Sequence, residues 1–86
     1  MTNRQFIKLP FDESADYLFR NGDYITHREY YNQKRALYRC DDFLVESWYD
    51  PVENEITKVE LIGLEKALKF YWSSMQIDDI IRTENQ

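Results

Sequence analysis

Apolar and polar residues alternate with a period near two between Tyr24 and Ile62, and follow a helical spacing on either side of that stretch. Within it, the segments Tyr24–Thr26, Arg28–Tyr31, Ala36–Tyr38, Phe43–Val45 and Trp48–Tyr49 are separated by Asn32-Gln33, Asp41-Asp42 and Asp50-Pro51. Short β-rich, aromatic segments broken by turn residues predict consecutive antiparallel strands. Upstream, Phe11, Ala15, Leu18 and Phe19 fall on one helical face, with Asp12 as an N-cap, Glu13 in the first turn and Gly22 at the C′ position. These signals predict a short helix over 12–21, and the alternative is a hairpin turning at Asn21-Gly22. Downstream, Leu64, Leu68, Tyr71, Trp72 and Met75 recur at helical spacing with Ala67 behind them, which predicts an amphipathic helix over 64–76. Phe70 falls off that stripe, Asp78 is placed to cap a further turn through Ile80 and Ile81, and residues 83–86 read as a frayed tail. Phe6, Ile7 and Leu9 suit an added edge strand or an extended arm. The expected fold is therefore α+β: an antiparallel meander of three to four strands over about 24–62, between two helices.

Turn chemistry extends this pattern to a register. With Asp41-Asp42 as a two-residue turn, Cys40 lies opposite Phe43, Tyr38 opposite Val45 and Ala36 opposite Ser47. These residues and Tyr49 share one face, which reads as core. The second face then receives Arg35, Leu37, Arg39, Leu44, Glu46 and Trp48, because side chains alternate across a strand. There Arg35 lies opposite Trp48, a geometry suited to a cation–π contact, and Glu46 has Arg35 and Arg39 as diagonal neighbours. Asn32-Gln33 as a two-residue turn places His27 opposite Tyr38 and diagonal to Cys40. Asp50–Asn54 is a turn in which Pro51 presets φ, Asp50 bonds forward and Asn54 tolerates a left-handed backbone. In the returning strand Glu55–Ile62, Ile56 and Ile62 have the opposite parity to Val59 and Leu61. That requires either a bulge or cover on both faces.

At 86 residues the chain is expected to form one domain over 1–86. A chain of this size buries about two-thirds of its unfolded surface, and its fourteen aromatics supply the necessary volume. Cys40 is the only cysteine, so no intrachain disulfide exists, and it reads as a small buried hydrophobe in a reducing compartment. No apolar run reaches a membrane span and no signal-peptide core opens the chain, so a cytoplasmic location without membrane association is expected. The net charge of −5 is uneven: Arg28, Lys34, Arg35 and Arg39 face only Glu29, whereas seven acids from Asp41 to Glu60 face only Lys58. Adjacent basic and acidic strands suit cross-strand ion pairing, and the net charge opposes non-specific nucleic-acid binding.

Leu9-Pro10-Phe11, Arg28-x-Tyr30-Tyr31, Leu37-Tyr38, the run Asp42–Asp50 and Asn54-x-Ile56 together resemble small bacterial single-domain α+β proteins of unassigned activity. The resemblance spans most of residues 5–62 and implies a compact α+β domain without implying chemistry. Ser47 departs from it, standing where an aliphatic residue is expected.

Candidate chemistry is sparse, and no enzymatic activity is expected. A Cys40–His27 pair could activate a thiolate, but both residues sit in strands directed at the core. Asp41-Asp42 and Asp78-Asp79 lack the further oxygen ligands and the glycine of a calcium loop, and one histidine with one cysteine cannot build a zinc site. With only Gly22 and Gly63 there is no phosphate-cradling loop, so neither metal nor cofactor is expected. Tyr30, Arg28, Arg35, Arg39 and Trp48 could stack single-stranded nucleic acid, a reading opposed by Glu46, Asp50 and the net charge. The reading that absorbs most residues is a protein–protein interaction module. Its apolar centre is Leu37, Leu44 and Trp48, rimmed by Arg35, Arg39 and Glu46, for a protein partner or a homodimer. A narrower form is a small acidic inhibitor, immunity-type or antitoxin-type regulator steered to a basic target.

Overall fold

The computed structural model describes residues 1–72. The expectations for Met75, for a turn at Asp78–Ile81, for the helix beyond Trp72 and for the tail at 83–86 lie outside the described residues.

Four strands, β1 (Asp23–Tyr30), β2 (Gln33–Cys40), β3 (Phe43–Asp50) and β4 (Glu55–Ile62), form one antiparallel sheet in the order β1-β2-β3-β4. Two helices precede it, α1 (Asn3–Ile7) and α2 (Phe11–Asn21), and α3 (Leu64–Tyr71) follows it. The helix predicted over 12–21 is α2, so Asn21-Gly22 does not turn a hairpin. Asp12 is not its cap. Pro10 holds that position, its carbonyl accepting from Ser14 N at 2.9 Å, and Asp12 and Glu13 lie in the first turn. Gly22 ends the helix in extended rather than left-handed backbone. The reason for glycine there is space: a Cβ would stand 2.6 Å from the Leu18 carbonyl oxygen.

The segment before α2 is neither edge strand nor arm. Thr2 and Gln5 form a reciprocal capping box, Gln5 N donating to Thr2 Oγ1 at 3.2 Å and Thr2 N to Gln5 Oε1 at 2.9 Å. That box starts a single helical turn and drops Phe6 into the core, where it lies 5.4 Å from the Phe43 ring.

The β2–β3 register matches the sequence expectation at Cys40–Phe43, Tyr38–Val45, Ala36–Ser47, Leu37–Glu46 and Arg35–Trp48. The β1–β2 register does not. The turn is Tyr31-Asn32, with Tyr31 at φ 56, so His27 faces Ala36 and not Tyr38. Asp50 Oδ1 accepts from Val52 N at 2.9 Å and Asn54 adopts φ 55, as the Asp50–Asn54 turn requires. Both answers to the β4 parity question are present. A bulge between the Trp48–Lys58 and Tyr49–Ile56 pairs moves Ile56 to the face of Val59 and Leu61, and Ile62 is buried on the other face.

The sheet is covered on both sides. Phe6, Leu18, Cys40, Phe43 and Val45 form one core under α1 and α2, joined by Leu9, Tyr17, Tyr38, Val59 and Leu61. Leu37, Leu44, Ile62, Ala67 and Tyr71 form a second core, joined by Ile25 and Leu64. The helical faces are rotated from those predicted. Ser14 and Leu18 are the buried residues of α2, whereas Phe11 and Phe19 are exposed; Ala67 and Tyr71 are the buried residues of α3, and Trp72 is exposed. No described helix is long and apolar enough to cross a membrane.

Candidate interaction surface

The second sheet face divides into a closed half and an open half. On the closed half, the second core places Leu37 and Leu44 with Ala67 and Tyr71 of α3. Beside them Glu46 is a carboxylate only 3 % exposed. Its desolvation is offset by two hydrogen-bond donors, Tyr71 Oη at 2.5 Å and Trp48 Nε1 at 3.1 Å, and by an ion pair with the Arg28 guanidinium at 3.8 Å. Burial, and then the hydrogen bond to Glu46, raise the Tyr71 phenol above its ordinary range, so the hydroxyl stays a donor.

From Glu46 outward the face becomes a ladder of cations and rings. The Arg28 guanidinium lies 4.5 Å from the Phe70 ring and 5.2 Å from Tyr30. Arg35 is sandwiched between Tyr30 at 4.1 Å and Trp48 at 3.6 Å, and Lys58 closes the stack over Trp48 at 4.6 Å. The register makes this possible: Arg28 faces Arg35, Arg35 faces Trp48 and Trp48 faces Lys58 across three successive strand pairs. Each contact contributes about 0.5–2 kcal/mol depending on desolvation, so the order of the ladder comes from repetition. The Nε atoms of Arg28 and Arg35 are buried without a hydrogen-bond partner among the described residues.

The six residues assigned to an interaction face therefore separate. Leu37, Leu44 and Glu46 are buried, which removes them from any docking surface. Arg39 is held by Asp23 at 2.7 Å. Arg35 and Trp48 remain half-buried at the open end. Tyr30, Lys58 and Phe70 belong with them. Tyr30 was legible as an aromatic of the right parity, whereas Lys58 and Phe70 depend on a bulge and on a helix rotation that composition does not reveal. Glu46 is satisfied by Arg28, Tyr71 and Trp48 and not by its diagonal neighbours Arg35 and Arg39.

The catalytic alternative loses its geometry. Cys40 is fully buried and its thiol is pushed up to about 11, chiefly by burial, which opposes a thiolate. His27 Nδ1 instead shares a hydrogen bond with the Tyr24 hydroxyl at 2.5 Å. Among the described residues no three His, Cys, Asp or Glu side chains converge as a metal site would require. No protein-family model matches the chain, and neither a curated protein nor a solved structure shows significant similarity to it.

Proposed function

We propose that the chain is a non-catalytic protein-interaction module whose contact surface is the open half of the second sheet face: Tyr30, Arg35, Trp48 and Lys58. The observation that carries this reading is the sandwich of Arg35 between Tyr30 and Trp48. Trp, Tyr and Arg are the residue types that dominate interface energetics. Here they are stacked before any partner arrives, which lowers the ordering cost of binding. No described carboxylate lies within 4.0 Å of the Arg35 guanidinium, and its buried Nε has no described acceptor. A partner offering a carboxylate or main-chain carbonyl would pair with the terminal amino groups of this half-buried guanidinium. An inhibitor or immunity-type regulator is one form such a module takes, its net charge of −5 steering it toward a basic target.

Immobilised wild-type chain is expected to retain a protein from native lysate that Arg35→Ala and Trp48→Ala chains do not, with circular dichroism showing that the variants fold. Equal retention by all three would remove the surface from consideration. The same ladder supports a second reading, stacking of single-stranded nucleic acid. A salt-sensitive mobility shift with an oligonucleotide, lost in Trp48→Ala, would favour that reading over the first.

A further inference from the structure

We propose that β4 is a self-association seam, pairing antiparallel with β4 of a second copy about a two-fold axis through Val59. Among the described residues β1 and β4 are the edges of the sheet, and an edge presents unpaired backbone N–H and C=O groups. The direction of those groups follows from the turn between β2 and β3. Cys40 and Phe43 flank a two-residue turn, the position of a hydrogen-bonded pair, and such pairs alternate along an antiparallel ladder. The backbone groups of Leu44, Glu46 and Trp48 then face β4, and the hydrogen bond from Thr57 Oγ1 to the Trp48 carbonyl at 3.3 Å agrees. Their partners Ile62, Glu60 and Lys58 face inward. Val59 and Leu61 consequently direct N–H and C=O out of the sheet.

Side-chain charge then selects among two-fold registers. Centring the pair on Lys58 sets Lys58 against itself, and centring it on Glu60 sets Glu60 against itself. Centring on Val59 sets Lys58 opposite the second copy's Glu60, and Glu60 opposite its Lys58. These two residues already form an ion pair at 3.3 Å within the chain, so the seam closes a four-charge grid. They also fall at non-hydrogen-bonded positions, where cross-strand side chains approach most closely. Beside the grid, the apolar residues Phe6, Ile7, Leu9, Val59 and Leu61, with Ser14 and Glu60, line a cavity of about 220 Å³, and Ile7 is 63 % exposed. Val59 on the axis brings this apolar lining from both copies together. On β1, registers centred on Arg28 or Glu29 set a charged residue against its own copy.

Sedimentation near physiological ionic strength is expected to give twice the mass of one chain. Lys58→Glu or Glu60→Lys alone creates two like-charge contacts per dimer and is expected to weaken it about tenfold or more. The double exchange restores complementarity and the dimer. Val59→Cys places like residues at the hydrogen-bonded spacing a disulfide can bridge and is expected to give a covalent dimer on mild oxidation, whereas Thr57→Cys is not. Arg35→Ala is expected to leave the mass unchanged, which separates this seam from the proposed partner surface. A wild-type monomer, a dimer indifferent to the single charge reversals, or a Val59→Cys chain that fails to cross-link would each overturn the proposal; the cross-link decides if a charge variant fails to fold.

Discussion

Glu46 is the residue on which the second face depends. Its carboxylate accepts from Tyr71 and Trp48 and lies near Arg28, so removing any one donor leaves charge less well matched in a buried place. Tyr71→Phe is expected to cost about 2 kcal/mol in urea unfolding, the range for a hydrogen bond to a charged group. The alkaline limb of stability follows from the same contact. Tyr71 is raised above the usual 10.0 by burial and then by Glu46, and Tyr38 is raised mainly by burial. In the unfolded chain both phenols ionise near 10.0, whereas folding holds them neutral. Their contribution is therefore complete below that pH and declines as pH rises through the folded values. Denaturation midpoints on either side of pH 10.0 are expected to fall, and less steeply in Tyr71→Phe. Cys40, with its thiol pushed up to about 11, is expected to resist iodoacetamide in the native state and react promptly in denaturant. Rapid native labelling would return the thiol to candidacy. Of this chemistry, the sequence exposed the burial of Cys40 and the Arg35–Trp48 pair. It did not expose two of the partners of Glu46, Arg28 and Tyr71, because those come from β1 and α3, and parity within one hairpin cannot reach them.

At the scale of elements, legibility tracked the strength of local geometry. Asp41-Asp42 occupies a turn whose flanks can pair in only one convenient way, and the β2–β3 register was readable. Asn32-Gln33 had a competitor one residue earlier. Tyr31 takes a left-handed backbone that side chains of its size rarely adopt, and the register moved by two residues. A shift of two preserves parity, which explains why faces were assigned correctly while opposite partners were not. The α1 turn was written in Thr2-x-x-Gln5, a capping box that five helical residues made easy to overlook. The two glycines give an element-scale contrast. Gly22→Ala forces a Cβ against the Leu18 carbonyl oxygen and Cδ1 at 2.6 and 2.9 Å, and is expected to cost about 1–3 kcal/mol. Among the described residues a Cβ on Gly63 meets nothing within 4 Å, and Gly63 caps α3 without a side-chain hydrogen bond. Gly63→Asp is therefore expected to stabilise, by up to about 1 kcal/mol, through an N-terminal acceptor and a stiffer unfolded chain. Thermal melts of both variants check the opposite signs.

For the whole molecule, each strand pairs with its successor, so most of the sheet closes through local contacts, a topology that favours rapid folding. The covers come from opposite ends of the described chain: α1 and α2 precede the sheet, and α3 follows it. On the ribosome that order has a cost. Until α3, which follows the sheet, has emerged and docked, one face has its helices and the other lies bare. During that interval Leu37 and Leu44 face water on a strand pair that another nascent sheet could stack upon. Glu46, Arg28, Arg35 and Lys58 stand among them. The carboxylate that the finished domain must work to satisfy is, for the half-made one, a gatekeeper charge against misassembly.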